Sequence, residues 1–315
     1  MVRRRAVIHT RPGPSPAAAP GWGLRSAPPE PAGSVSGVND VTEPGAAGLV
    51  RKVEALRTLD IEWGDTVATL RFNRPEERNT ATPDSLDELY GVLKSLSTQS
   101  GLSTIVITGS SRMFCPGADV NRDHGADPNR RRFPNEESYH LATLLVEMPQ
   151  LTVAAVNGGC AGAGFAIAAA CDVRVASSRA RFLTAFLQIG LASEFGLGWT
   201  LQRHLGGALA RELCFLPQAF DAERAHSIGL VARVLEADAW DQEFDTFRAE
   251  LGSRSVEAVR MLKQNFLDAD TLPLREFVDL EARRHRSWFV GDRGEETLKR
   301  LAAQGRRINN PADEN

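Results

Sequence analysis

Phe114-Cys115-Pro116-Gly117-Ala118-Asp119 and Ala155-Val156-Asn157-Gly158-Gly159-Cys160-Ala161-Gly162-Ala163-Gly164 are two small-residue segments about forty positions apart. Each follows a β-branched apolar run, Thr104-Ile105-Val106-Ile107-Thr108 and Leu151-Thr152-Val153-Ala154-Ala155, that reads as a buried strand. Each therefore turns the backbone where a strand ends. Small residues let a ligand oxygen approach peptide N–H groups closely, so two such ends aimed at one spot can hold a developing negative charge. On spacing alone, either segment also fits a tight packing turn between a strand and a helix.

The surrounding chain supplies a repeating pattern. Order is expected to begin with a hairpin, residues 58–61 and 67–72 about a Trp63-Gly64-Asp65 turn, ended by Asn73-Arg74-Pro75. Thr82-Pro83-Asp84 starts a helix whose apolar face is Leu86, Leu89, Val92, Leu93 and Leu96. A polar, basic segment at 122–135 reads as a surface loop, and residues 138–146 as a helix leading into the strand at Leu151. The run 162–170 opens another helix, followed by a strand at 172–176. Downstream, 208–215, 221–227, 256–268, 273–289 and 294–303 all read as helices.

Composition sets the outer bounds. A chain of 315 residues with 42% hydrophobic residues can bury a full core. The formal net charge of −3 gives no reason to expect nucleic-acid binding, and no apolar stretch is long enough to cross a membrane. Cys115, Cys160, Cys171 and Cys214 show neither a CxxC nor a disulfide-framework spacing, which fits a reducing, cytoplasmic setting. Residues 1–50, rich in Pro, Ala, Gly and Arg, have almost no apolar periodicity and are expected to be a disordered extension. Arg3-Arg4-Arg5 is read as part of that extension, since neither a secretory apolar region nor an amphipathic pattern follows it. The expected division is 1–50 extension, 51–250 core and 251–315 helical region with a short disordered tail.

The two small-residue segments, in order with Phe72-Asn73-Arg74-Pro75-Glu76-Glu77-Arg78-Asn79, resemble the crotonase family of enoyl-CoA hydratases and isomerases from about residue 58 to 307. That resemblance implies an α/β fold, the crotonase (ClpP-like) spiral of ββα units, with a helical C-terminal region that packs homotrimers, often paired into homohexamers. It implies an acyl-CoA thioester as substrate, with coenzyme A as part of that substrate and no separate cofactor. It implies that the backbone N–H groups of Ala118 and Ala163 form an oxyanion hole, and that residues 113–120, namely Met113, Cys115, Gly117, Ala118, Asp119 and Val120 among them, contact the coenzyme with Gly162. Arg74, Arg78, Arg130-Arg131-Arg132 and His124 are candidates for its phosphates.

One departure decides the expected chemistry. Hydratases of the family carry one Glu after the glycine run and another after the next strand; the matching positions here are Ala166 and Phe186. Neither accepts a proton. The acid that remains is Glu194, in Gly190-Leu191-Ala192-Ser193-Glu194-Phe195-Gly196, which matches the single acid of Δ3,Δ2-enoyl-CoA isomerases. A surroundings of Ala166, Phe186 and Phe195 would desolvate it and raise its pKa. On local properties alone Glu194 also reads as a solvated loop carboxylate. Hydratase, acyl-CoA hydrolase or dehalogenase, and a non-catalytic acyl-CoA binder stay open. Cys115 reads as a small buried hydrophobe in preference to a nucleophile, Asp119 and Asp172 as capping residues, and His204, His226 and His285 as structural. No spacing suggests a metal, and the glycine run lacks the GxGxxG register of a dinucleotide site.

Overall fold

A computed structural model describes residues 56–118, 131–290, 294–295 and 297–302. The expectations for residues 1–50, Asp119, Val120, His124 and Arg130 lie outside the described residues. The hairpin is present: β1 (Leu59–Trp63) pairs antiparallel with β2 (Val67–Phe72), from Leu59 opposite Phe72 to Trp63 opposite Ala68. The strand runs through Trp63, so the turn is one residue later than expected and is closed by Gly64 N–H donating to Val67 O at 2.8 Å. In α1 (Pro83–Ser97) Thr82 caps the first turn reciprocally with Ser85, Pro83 occupies the position where its missing N–H costs nothing, and Leu86, Leu89, Val92, Leu93 and Leu96 are buried.

From there the chain repeats itself. β3 (Thr104–Gly109) is followed by β4 (Met113–Cys115) and α2 (Leu141–Glu147); β5 (Leu151–Val156) by β6 (Gly159–Ala161) and α3 (Ala163–Ala170); β7 (Val173–Ser177) by β8 (Arg181–Leu183) and α4 (Leu197–Leu205). In each unit the first strand joins a six-stranded sheet of order β1-β2-β3-β5-β7-β10, and the second joins a four-stranded sheet of order β4-β6-β8-β9. The remaining elements are α5 (Gly207–Phe215), β9 (Phe220–Asp221), α6 (Ala222–Ser227), β10 (Arg233–Leu235), α7 (Trp240–Gly252), α8 (Val256–Ala269) and α9 (Leu274–Trp288).

The spiral of ββα units is thus present, with corrections of detail. The smaller sheet is not legible in sequence, because strands of two or three residues carry no period to read. Its members β4 and β6 lie at or within the segments read as turns. The helix expected at 138–146 starts as a 3-10 segment, Glu136–His140, and α4 and α7 were not expected at all. Covered on both faces, β3 is buried at all six positions, as parallel strands between layers are. Every residue of α3 is buried too, so it is apolar all round and shows no amphipathic stripe. None of the described helices is long and apolar enough to cross a membrane.

Candidate active site

The site is built where the repeat brings the ends of β4 and β6 side by side. Cys115 lies opposite Cys160 in that parallel pairing. Beyond the strands, Gly117 (φ 84°) and Gly162 (φ 50°) hold left-handed backbone that a side chain would strain. They meet directly: a Cβ on Gly117 would lie 3.0 Å from Ala161 O and 3.4 Å from Ala163 N. At the second residue of α3, a Cβ on Gly164 would lie 2.1 Å from Cys115 O. Only hydrogen fits there, so the glycines set how closely the two segments approach.

Two buried asparagines hold the first segment in place. Asn79 Nδ2–H donates to Met113 O (2.7 Å) and Ser110 O (3.2 Å), while its Oδ1 accepts from Arg74 N–H and the Ser110 hydroxyl. Asn157 Nδ2–H donates to Gly109 O (2.8 Å) and Ser111 O (3.0 Å). Gly117 O accepts from Ala81 N–H at 2.9 Å, beside the bridge pairing Ala81 with Ala118. Both asparagines stand within the quoted motifs, yet nothing in their local sequence marks them for this role.

Ala118 is exposed and Ala163 is buried at the first position of α3, just after Gly162, whose own N–H donates to Leu183 O at 3.1 Å. The start of α3 thus places the Ala163 N–H in the orphan first turn of a helix, where partial positive charge collects. The opposite end of α3 is closed by cationic and polar groups. Arg174, buried, donates to Cys171 O (2.5 Å), Ala169 O (3.4 Å) and Leu230 O (2.6 Å), and a His204 ring nitrogen lies 3.0 Å from Ala169 O. Burial, with Arg174 nearby, holds the His204 pKa below its ordinary value.

Glu194 is half-buried, and loss of solvent raises its carboxyl pKa above the ordinary carboxylate range. Its charge in turn opposes ionisation of the Cys115 thiol and the Tyr139 phenol, so it lies within electrostatic range of the first segment and of the residues preceding α2. Glu194 stands at a sharp corner: Phe195 (φ 47°) and Gly196 (φ 64°) are both left-handed, and α4 follows. Ala166, Phe186 and Phe195 are all buried in the one core cluster that also contains Ala163. Phe186 opens a 3-10 segment, and its carbonyl accepts from Leu191 N–H at 3.0 Å.

The other candidates stand as follows. The Arg74 guanidinium is engaged by Glu77, Thr80 O and Thr82 Oγ1, which makes it a brace for the turn before α1. Arg131 pairs with Asp84 (2.7 Å) and Asp87 (2.5 Å); Arg78 and Arg132 are exposed. The Cys115 thiol is fully buried and pushed up to about 11 by burial, so it has no thiolate character near neutrality. Met113 is half-exposed, with its sulfur against Gly159. Asp172 accepts from Thr152 N–H (2.7 Å) and its hydroxyl (2.9 Å), as a cap does, and also pairs with the buried Lys263 of α8 at 2.8 Å. Among the described residues no cluster of three or more His, Cys, Asp or Glu side chains could hold a metal ion.

This arrangement can be set beside known proteins. A family model described as "Enoyl-CoA hydratase/isomerase" matches residues 62–305. The chain belongs to the enoyl-CoA hydratase/isomerase family. Family relatives include the 1,2-epoxyphenylacetyl-CoA isomerase of Escherichia coli (strain K12), 31% identical over 224 residues that span 68% of this chain and 84% of that protein. They also include a 4-chlorobenzoyl coenzyme A dehalogenase of an Arthrobacter species, 32% identical over 185 residues, 57% of this chain and 67% of that protein. A crystal structure from Thermobifida fusca YX, solved in complex with CoA, superposes with a TM-score of 0.65 at 25% identity, covering 78% of this chain and 95% of that one. The fold is the crotonase fold.

Proposed function

We propose that this family member is a Δ3,Δ2-enoyl-CoA isomerase that uses Glu194 as its one acid–base group and the N–H groups of Ala118 and Ala163 as an oxyanion hole. The observation that carries the reading is the half-buried Glu194 carboxyl, with a raised pKa and a charge felt by Cys115 of the first small-residue segment, while the two positions that match the hydratase glutamates are the buried Ala166 and Phe186. Support for an acyl-CoA substrate comes from the family match and from the CoA-bound neighbour.

The chemistry follows from what these groups can do. Glu194 removes a proton from C2 of a 3-enoyl thioester, and the electron pair moves toward the thioester oxygen to leave a dienolate. The two N–H groups stabilise that oxygen as charge develops, and the partial charge at the start of α3 adds to them. Glu194, now a carboxylic acid, returns its proton at C4. A raised pKa brings the carboxyl nearer to the enolised carbon acid and suits it to both halves of the cycle. With Ala166 and Phe186 in place of carboxylates, those two positions supply no group to activate a water.

The test presents the purified protein with 3-enoyl-CoA thioesters of several chain lengths and follows the ultraviolet absorbance of the conjugated 2-enoyl product. A lasting rise supports isomerisation, and a rise followed by decay means hydration as well. Absence of any rise sinks the isomerase reading and directs attention to hydrolysis or dehalogenation of an acyl-CoA, the latter being the reaction named for the Arthrobacter relative.

A further inference from the structure

The corner that carries Glu194 is braced from outside its own element. Phe195 holds a left-handed backbone, costly for a bulky side chain, and such a conformation persists only where its surroundings over-determine it. Phe195 is buried, and its ring is stacked on Tyr139 with centroids 5.9 Å apart and planes 20° apart. The next residue, Gly196, faces Ala142 of α2, whose Cβ would lie 3.4 Å from a Cβ there. Tyr139 is itself fixed. Its neighbour Ser138 donates its hydroxyl to Asp87 Oδ1 at 2.5 Å, and Asn135 N–H donates to the same oxygen at 2.8 Å, tying the segment to α1. Tyr139 remains 41% exposed, so it is not simply a core residue, and its phenol lies within reach of the Glu194 charge.

We propose that Tyr139 is a positioning residue for Glu194: its ring, anchored through Ser138 and Asp87 to α1, backs Phe195 and holds the left-handed corner that aims the carboxyl. The ring does this, and the hydroxyl is not required. The proposal rests on the reading of Glu194 as the acid–base group, and the experiment separates the two.

Tyr139→Leu, Tyr139→Phe, Glu194→Gln and Tyr139→Leu/Glu194→Gln are assayed on a 3-enoyl-CoA, with Glu194 titrated by carboxyl-carbon NMR in the first two variants and in the parent. The expected result is a fall in kcat of up to about 100-fold in Tyr139→Leu, the scale of a small misplacement of a reacting group, with little change in KM. Tyr139→Phe restores turnover, and Tyr139→Leu adds nothing in the Glu194→Gln background. The Glu194 titration moves toward the ordinary carboxylate range in Tyr139→Leu and stays raised in Tyr139→Phe. Unchanged titration and turnover in Tyr139→Leu overturn the proposal, as does a Tyr139→Phe variant as impaired as Tyr139→Leu. If Glu194→Gln keeps full turnover, the acid–base reading fails by itself; the titration still reports whether Tyr139 shapes the corner.

Discussion

Glu194 is a carboxyl partly withdrawn from water with no basic partner among the described residues to offset the loss, and that one circumstance has two opposite consequences. In the proposed isomerisation it would supply a stronger base than an ordinary glutamate. Glu194→Gln is expected to lower kcat by about 10²–10⁴-fold, the range for removal of a general acid–base group, while acyl-CoA binding persists in a calorimetric titration. For stability the sign is reversed. A carboxyl whose folded pKa lies above its unfolded value of about 4.3 contributes to stability in full only below that value, and the contribution is lost as pH rises through the folded pKa. Glu194→Gln should therefore melt higher than the parent at neutral pH, with the difference shrinking as pH falls toward 4; a lower melting temperature at pH 7 would contradict this account. The parent's kcat should rise with pH along a limb displaced above the ordinary glutamate range.

At the scale of elements, the site depends on how closely α3 and β4 approach. Gly164→Ala places a methyl 2.1 Å from Cys115 O, against backbone that has no rotamer with which to yield. The cost should reach or exceed the about 1–3 kcal/mol typical of overpacking, read by denaturant unfolding, and turnover should fall with it because the two N–H groups move apart. A second device joins α8 to the spiral. Lys263, 5% exposed, donates to Leu145 O (2.9 Å) and Gln150 O (2.8 Å) as well as pairing with Asp172. Lys263→Met leaves the Asp172 carboxylate without its cation and should cost about 3–5 kcal/mol; adding Asp172→Asn should recover part of it in the same unfolding measurement. In sequence, Asp172 was legible as a cap because of its place at a strand start. Its ion pair was not, since Lys263 lies in another element about ninety residues on.

For the whole molecule, the helices at the C-terminal end leave large apolar side chains in solvent: Leu262 (57% exposed), Phe266 (70%) and Leu274 (77%). Apolar area of this kind on adjoining helices is the character of an association surface. We expect the homotrimer or homohexamer that the crotonase resemblance implies, and light scattering on the purified protein checks it. Phe266→Glu should shift the mass toward a single chain; a parent that already scatters as a monomer would remove this expectation.

Residue type and spacing alone determined the strands that became the larger sheet's β2, β3, β5 and β7, the helices α1 and α3, and the two glycine-dependent turns, while the crotonase resemblance marked Ala166 and Phe186 as standing where hydratases carry carboxylates. Those properties are local, set by backbone freedom, apolar period and the presence or absence of a titratable atom. Tertiary structure alone decided that Gly117 meets Gly162, that Arg74 braces a turn with Glu77, and that Tyr139 stacks behind the Glu194 corner. It also drew the second sheet from strands too short to show a period. Each of these is a contact between groups whose distance is governed by packing of separate elements, and no local preference in the chain encodes that distance.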